Sequence, residues 1–107
     1  MPHAVNPRNL TLLITQGQMM DQIGLKDMAY EEFMLLKEVS MRNLETLAEE
    51  GVKLDQNNMS LRGAAITIQF LVRNGYDAEA QELSDFLTNT TGIPIGESII
   101  QQERGGQ

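Results

Sequence analysis

The side chains in this sequence most suited to chemistry are carboxylates. Glu45, Glu49 and Glu50 fall in one helical segment, and Glu79, Glu82 and Asp85 in another. Residues three or four apart share a helix face, so Glu45 pairs with Glu49 and Glu82 with Asp85. Carboxylates on facing helices are hard-oxygen ligands, a set that can hold magnesium and so activate water against a nucleotide phosphate. The competing reading is a solvated face, the default for charge on a helix surface, and it is preferred here. A divalent-metal-dependent nucleotide hydrolase using Glu45, Glu49, Glu82 and Asp85 is kept as the alternative.

Other routes to catalysis find less support. Glu31-Glu32 resembles the start of the Glu-Glu-x-x-Glu signature of the all-helical nucleoside-triphosphate pyrophosphohydrolases, but Leu35 stands where the third Glu belongs, which removes a ligand. His3 is the single imidazole and lies in a Pro-flanked start, whereas catalysis needs it held against a nucleophile and an orienting group. Cysteine is absent, which excludes disulfides, Cys-based zinc sites and thiol nucleophiles. Neither a Walker pattern nor Gly-x-Gly-x-x-Gly occurs, so phosphate cradling by backbone amides is unsupported and no cofactor is expected. The final Gly105-Gly106-Gln107 matches, as three letters, the tripeptide of translation release factors. Those factors need strong RNA affinity, which this chain's charge opposes, so the tripeptide reads as a tail.

Fifteen acidic residues against eight basic ones leave a net charge of −7, a field that repels phosphate backbones and anionic lipid alike. The cations are scattered from Arg8 to Arg104 without a basic stripe. Nucleic acid and membrane are therefore not expected partners. No apolar run approaches the ~18 residues that span a bilayer. The opening Met1-Pro2-His3-Ala4-Val5 lacks the basic-then-apolar pattern of a secretory signal, so a cytoplasmic location is expected.

The elements that must position these side chains are helices. Only five aromatic residues and no Trp leave a core of Leu, Ile, Met and Ala, which suits helix packing, and 107 residues fit one domain. Pro2 and Pro7 mark residues 1–8 as a flexible arm. Leu10, Leu13, Ile14, Met20 and Ile23 approximate helical spacing over a first short helix. Asp27 as a cap, Glu31 and Glu32 in early turns and Gly51 as a left-handed stop frame a long helix over about 27–50, with Ala29, Phe33, Leu36, Leu44, Leu47 and Ala48 as its buried stripe. A third, central helix opens at Asn58 or Ser60 and runs through Leu61 to Val72, with Arg62, Gln69 and Arg73 as its polar strip. Ile66-Thr67-Ile68-Gln69-Phe70 also alternates with period two, so a strand near 66–72 in a small α+β fold is the alternative. Asn74-Gly75-Tyr76-Asp77 supplies a stop, a tight turn and a new N-cap for a fourth helix marked by Ala80, Leu83 and Leu87 and closed by Gly92. Pro94 then predicts an extended Ile93 to Gly96, with a turn or two of helix over Glu97 to Arg104. The expected architecture is an all-α, four-helix domain over 9–92, with an extended or short-helical tail over 93–107.

With catalysis weakly supported, the expected function is that of a small acidic interaction protein: an adaptor, assembly factor or inhibitor. Seven methionines are present, and Met34 and Met41, seven residues apart beside Leu35, extend the apolar face of the long helix. Ile93, Ile95, Ile99 and Ile100 lie beyond the last strong helix and must be covered by something. These seven residues form the expected contact surface. Helices apolar on most sides also favour self-association, and a homodimer is expected. An acidic mimic of nucleic acid is a further alternative; it requires carboxylates spaced along one surface.

Overall fold

The computed structural model describes residues 7 to 55 and 57 to 105. Among these residues the chain is helical without a strand: α1 (Pro7–Gln22), α2 (Lys26–Glu49), α3 (Met59–Arg73), α4 (Asp77–Thr91) and α5 (Ile95–Gly105). The all-α class is as expected, but there are five helices rather than four. The expected arm over 1–8 lies outside the described residues as far as position 6. Pro7 already opens α1, since a first-turn residue has no intrahelical N–H bond to lose. Among the described residues no helix is long and apolar enough to cross a membrane.

Helix α3 touches all four others and is the centre of the fold. Ser60 and Leu61, Gly63 and Ala64, Thr67 and Ile68, and Phe70 and Leu71 are all buried, pairs recurring at three- and four-residue intervals that only a helix produces. The strand near 66–72 is thereby corrected. Local alternation of Ile, Thr and Phe favours β, but burial on several sides decides, because neighbouring helices reward a wide apolar surface more than propensity resists it. The Asn58 side chain caps α3, its Oδ1 accepting from the Ser60 and Leu61 amides at 2.9 and 3.1 Å.

Helix α2 crosses α3 at close range because the contact residues are small. A Cβ built on Gly63 would stand 2.7 Å from Ser40 Oγ and 3.0 Å from a Leu36 methyl. Ser40 and Asn43 are buried here, Asn43 Nδ2 donating to Ser60 Oγ at 3.2 Å. The expected stripe holds at Ala29, Phe33, Leu36 and Leu44, but Ala48 is exposed and Leu47 only half-buried. The apolar face ends early because α3 begins opposite Ser40 and Asn43, leaving the last turn of α2 beyond its cover. The expected caps are also displaced by one or two residues. Asp27 and Asp77 sit in the first turns of α2 and α4, where their charge still favours the helix N-terminus, without making a side-chain cap.

Two aromatic pairs tie the N-terminal half of α2 down. Phe33 stacks on Phe70 with ring centroids 4.4 Å apart, and Tyr30 tilts against Tyr76 at 4.8 Å. The Tyr30 hydroxyl donates to Glu79 Oε1 at 2.7 Å, linking α2 to α4. This hydrogen bond, followed by burial and the carboxylate's negative charge, raises the Tyr30 pKa above its ordinary 10.0.

The largest correction concerns the C-terminus. Only Gly92, Ile93 and Pro94 separate α4 from α5, and α5 packs on both α3 and α4. Ile99 and Ile100 are buried in the common core, and Gly96 comes so close to α4 that a Cβ there would lie 2.7 Å from the Ser84 Cα. Glu97 Oε1 accepts from Gln81 Nε2 at 2.7 Å and from Ser84 Oγ at 3.2 Å, while Arg73 grips Glu103 through two bonds of 2.8 and 3.2 Å. Gly92 ends α4, and Pro94 directly precedes α5 without hindering it, since proline is excluded only from helix interiors.

Two outcomes follow. Gly96→Ala forces α5 off backbone that cannot yield, so thermal unfolding should show a loss of about 1–3 kcal/mol, and Ile100→Ala should cost about 2–5 kcal/mol by leaving a cavity. A melting temperature unmoved by both would mean that α5 is not docked. As for pH, the folded state holds the Tyr30 proton more tightly than the unfolded chain does. That contribution is complete below pH 10 and is lost as pH rises through the higher folded value. Melting temperatures measured from pH 8 to 11 should fall more steeply for the wild type than for Tyr30→Phe.

Candidate functional site

The carboxylates that invited a metal reading are dispersed. Glu45 and Glu49 stand exposed on the C-terminal half of α2 with Glu50 just after it, and Glu82 and Asp85 on the wet side of α4. Glu79 is engaged by Tyr30, and Asp85 accepts from Gln81 Nε2 at 3.0 Å. Among the described residues no three His, Cys, Asp or Glu side chains gather in a group that could hold a metal ion. Sequence spacing places pairs on one face, but a metal needs two faces to converge, and these point to solvent. His3 lies outside the described residues, as do Gly106 and Gln107.

A cleft of about 700 Å³ opens where the ends of α3 and α5 meet the start of α4, lined by Val72, Arg73, Asp77, Glu103 and Arg104. Its charges are matched within the chain. Arg73 binds Glu103, which raises the guanidinium pKa, and Arg104 approaches Asp77 at 3.8 Å. The cleft thus offers a ligand arginines already committed to carboxylates. Burial elsewhere leaves one polar atom without a partner among the described residues, Ser40 Oγ, and it faces Gly63 across the α2–α3 contact rather than a cavity.

The expected contact residues divide sharply. Leu35 is 48% exposed. Met34, Met41, Ile93 and Ile95 are half-buried and packed against the core, and Ile99 and Ile100 belong to it. The isoleucines beyond α4 are covered by the chain's own α3 and α4, which is why they do not form a surface.

Exposed apolar residues do occur, on α1 as well as α2. Among the described residues eight large hydrophobics are exposed, and six of them lie on α1, α2 and their turn: Leu12, Met19, Ile23, Leu25, Met28 and Leu35. Scattered apolar residues are ordinary on protein surfaces, whereas a continuous group marks a contact face. Leu12 and Met19 are seven apart on α1, and Met28 and Leu35 seven apart on α2, so each pair lies on one side of its helix about 10.5 Å apart. Ile23 and Leu25 flank Gly24 at the turn, where Lys26 pairs with Asp21. The sequence carried this signal in its seven-residue spacings. The expected contact surface includes Leu35 but neither Leu12 nor Met19.

Comparison with known proteins adds no identity to this geometry: no family model matches the chain, and neither a curated protein nor a solved structure matches it significantly.

Proposed function

We propose that this protein acts by binding another protein chain, as an adaptor, assembly factor or inhibitor, without catalysis of its own. The observation that supports this reading is the six large apolar side chains left in water on α1, α2 and the turn between them, in a fold that buries most of its other hydrophobics. Leaving such side chains wet costs free energy in proportion to their area, a cost that a partner would remove. Of the contact residues expected from sequence, Leu35 stays in the proposal. Met34 and Met41 border it from the half-buried flank of α2.

The metal-dependent hydrolase has no support in the placement of Glu45, Glu49, Glu82 and Asp85. The mimic of nucleic acid fares little better: Glu31, Glu38 and Glu45 recur every seven residues along α2, but Arg42 bonds Glu38 at 3.1 Å and breaks the row. A location inside the cell is proposed on the absence of cysteine alone.

The test uses the intact chain as bait against Leu35→Glu. Because Leu35 is half in water, the variant should keep its helical circular dichroism while losing partners held by the wild type, with retention reduced about tenfold or more, as expected when a charge enters an apolar contact. Identical capture by both would refute the exposed apolar residues around Leu35 as a binding surface. In parallel, millimolar magnesium or manganese should leave the melting temperature unchanged. A rise of several degrees would revive the hydrolase, since a ligand bound only by the native state must stabilise it.

A further inference from the structure

Folding brings the chain's two tyrosines into contact from distant positions in the sequence. Tyr30 lies in the second turn of α2 and Tyr76 directly precedes α4. Their ring centroids nevertheless stand 4.8 Å apart, with the ring planes inclined by 38°, the close end of the range for aromatic pairs. Tyr30 is half-buried, while Tyr76 is 38% exposed.

This arrangement meets the requirements for joining two phenols by oxidation. Each ring must lose an electron together with its hydroxyl proton, because a phenol that keeps its proton gives up the electron much less readily. Tyr76 is open to an oxidant in solvent. Tyr30 already donates its hydroxyl to Glu79 Oε1 at 2.7 Å, so a carboxylate stands ready to take the proton as the electron leaves. The chain offers no tryptophan or cysteine as a competing one-electron donor. The exposed Met19 and Met28 react differently, taking an oxygen atom to become sulfoxides.

We propose that Tyr30 and Tyr76 form a site of oxidative cross-linking, in which a one-electron oxidant of the haem-peroxidase class joins them as dityrosine. The oxidant removes one electron from each ring. The Tyr30 proton passes to Glu79 and the Tyr76 proton to water. A carbon–carbon bond then forms between one ring position ortho to each oxygen. The hydrogens on the joined carbons move to the two oxygens as their C–H bonds break, which restores both hydroxyls. The product has lost two electrons and two protons, and hydrogen peroxide, reduced to water through the peroxidase, takes up both. The link ties α2 to the start of α4. A chain without cysteine thereby gains the covalent closure that a disulfide supplies elsewhere.

The test exposes the dilute intact chain to photo-excited tris-bipyridyl ruthenium with persulfate, which draws single electrons from phenols in buffer and in urea alike. Trypsin cuts after Lys26, Lys37, Arg73 and Arg104, so the tyrosines fall in separate peptides, Asp27 to Lys37 and Asn74 to Arg104. Mass spectrometry should find these two peptides joined, less two hydrogens, from protein that still migrates as a single chain. Tyr30→Phe and Tyr76→Phe should each abolish the joined pair. Glu79→Gln keeps an oxygen for Tyr30 to bond but cannot take its proton, and should slow the linkage about tenfold with helical content unchanged. An unaltered rate in that variant would overturn Glu79 as the proton acceptor. Linkage that is as fast in urea as in buffer, or that joins separate chains in place of one, would overturn the site itself, since the fold would then not be what pairs the rings.

Discussion

The fold depends on covering one helix from every side. α3 is short, carries apolar or small residues on most of its circumference, and cannot be stable unless four neighbours surround it. Crowding four helices around one requires close approach, and the sequence provides it with small residues at the crossings, Gly63 against Ser40 and, one layer out, Gly96 against Ser84. A backbone without a Cβ lets dispersion contacts accumulate at short range, and such contacts are individually slight but numerous. The cost is a serine hydroxyl, Ser40 Oγ, that burial leaves without a partner.

That constraint also explains which parts of the structure could be read from the chain. The punctuation was plain: Gly51 and Gly92 adopt the left-handed backbone that ends helices, with φ of 74° and 75°, and Asn58 caps as its side chain suggests. Ala80, Leu83 and Leu87 bury as their spacing requires. Less legible were segments whose fate depends on a distant neighbour. Ile66 to Phe70 carries a local β preference that only surrounding helices override. Ile95 to Gly105 reads as a tail until α3 and the Ser84 side of α4 are known to flank it. Even then the clue was present, for Ile95 and Ile99 are four apart, and Gly96 and Ile100 likewise, helical intervals on both counts.

The exposed apolar residues were legible in kind but not in place. Of the apolar residues expected to face outward on α2, Leu35 is exposed. Met34 and Met41 repeat the spacing of Met28 and Leu35 one residue out of phase, and a rotation of 100° around α2 separates packing flank from open flank. Periodicity assigns residues to a common side without saying which side meets the core. The carboxylates show the same limit in reverse: Glu45 with Glu49 and Glu82 with Asp85 do share faces, yet convergence of two faces is a tertiary fact.

The pairing of Tyr30 with Tyr76 has a practical corollary. They are the chain's two tyrosines, and there is no tryptophan. Nearly all of the near-ultraviolet absorption and intrinsic emission of this protein therefore arises from one spot, where the first half of α2 meets the start of α4. An optical signal usually averaged over a whole molecule becomes, in this protein, a gauge of a single helix junction. Any event that parts α2 from α4 writes itself into the spectrum without a label.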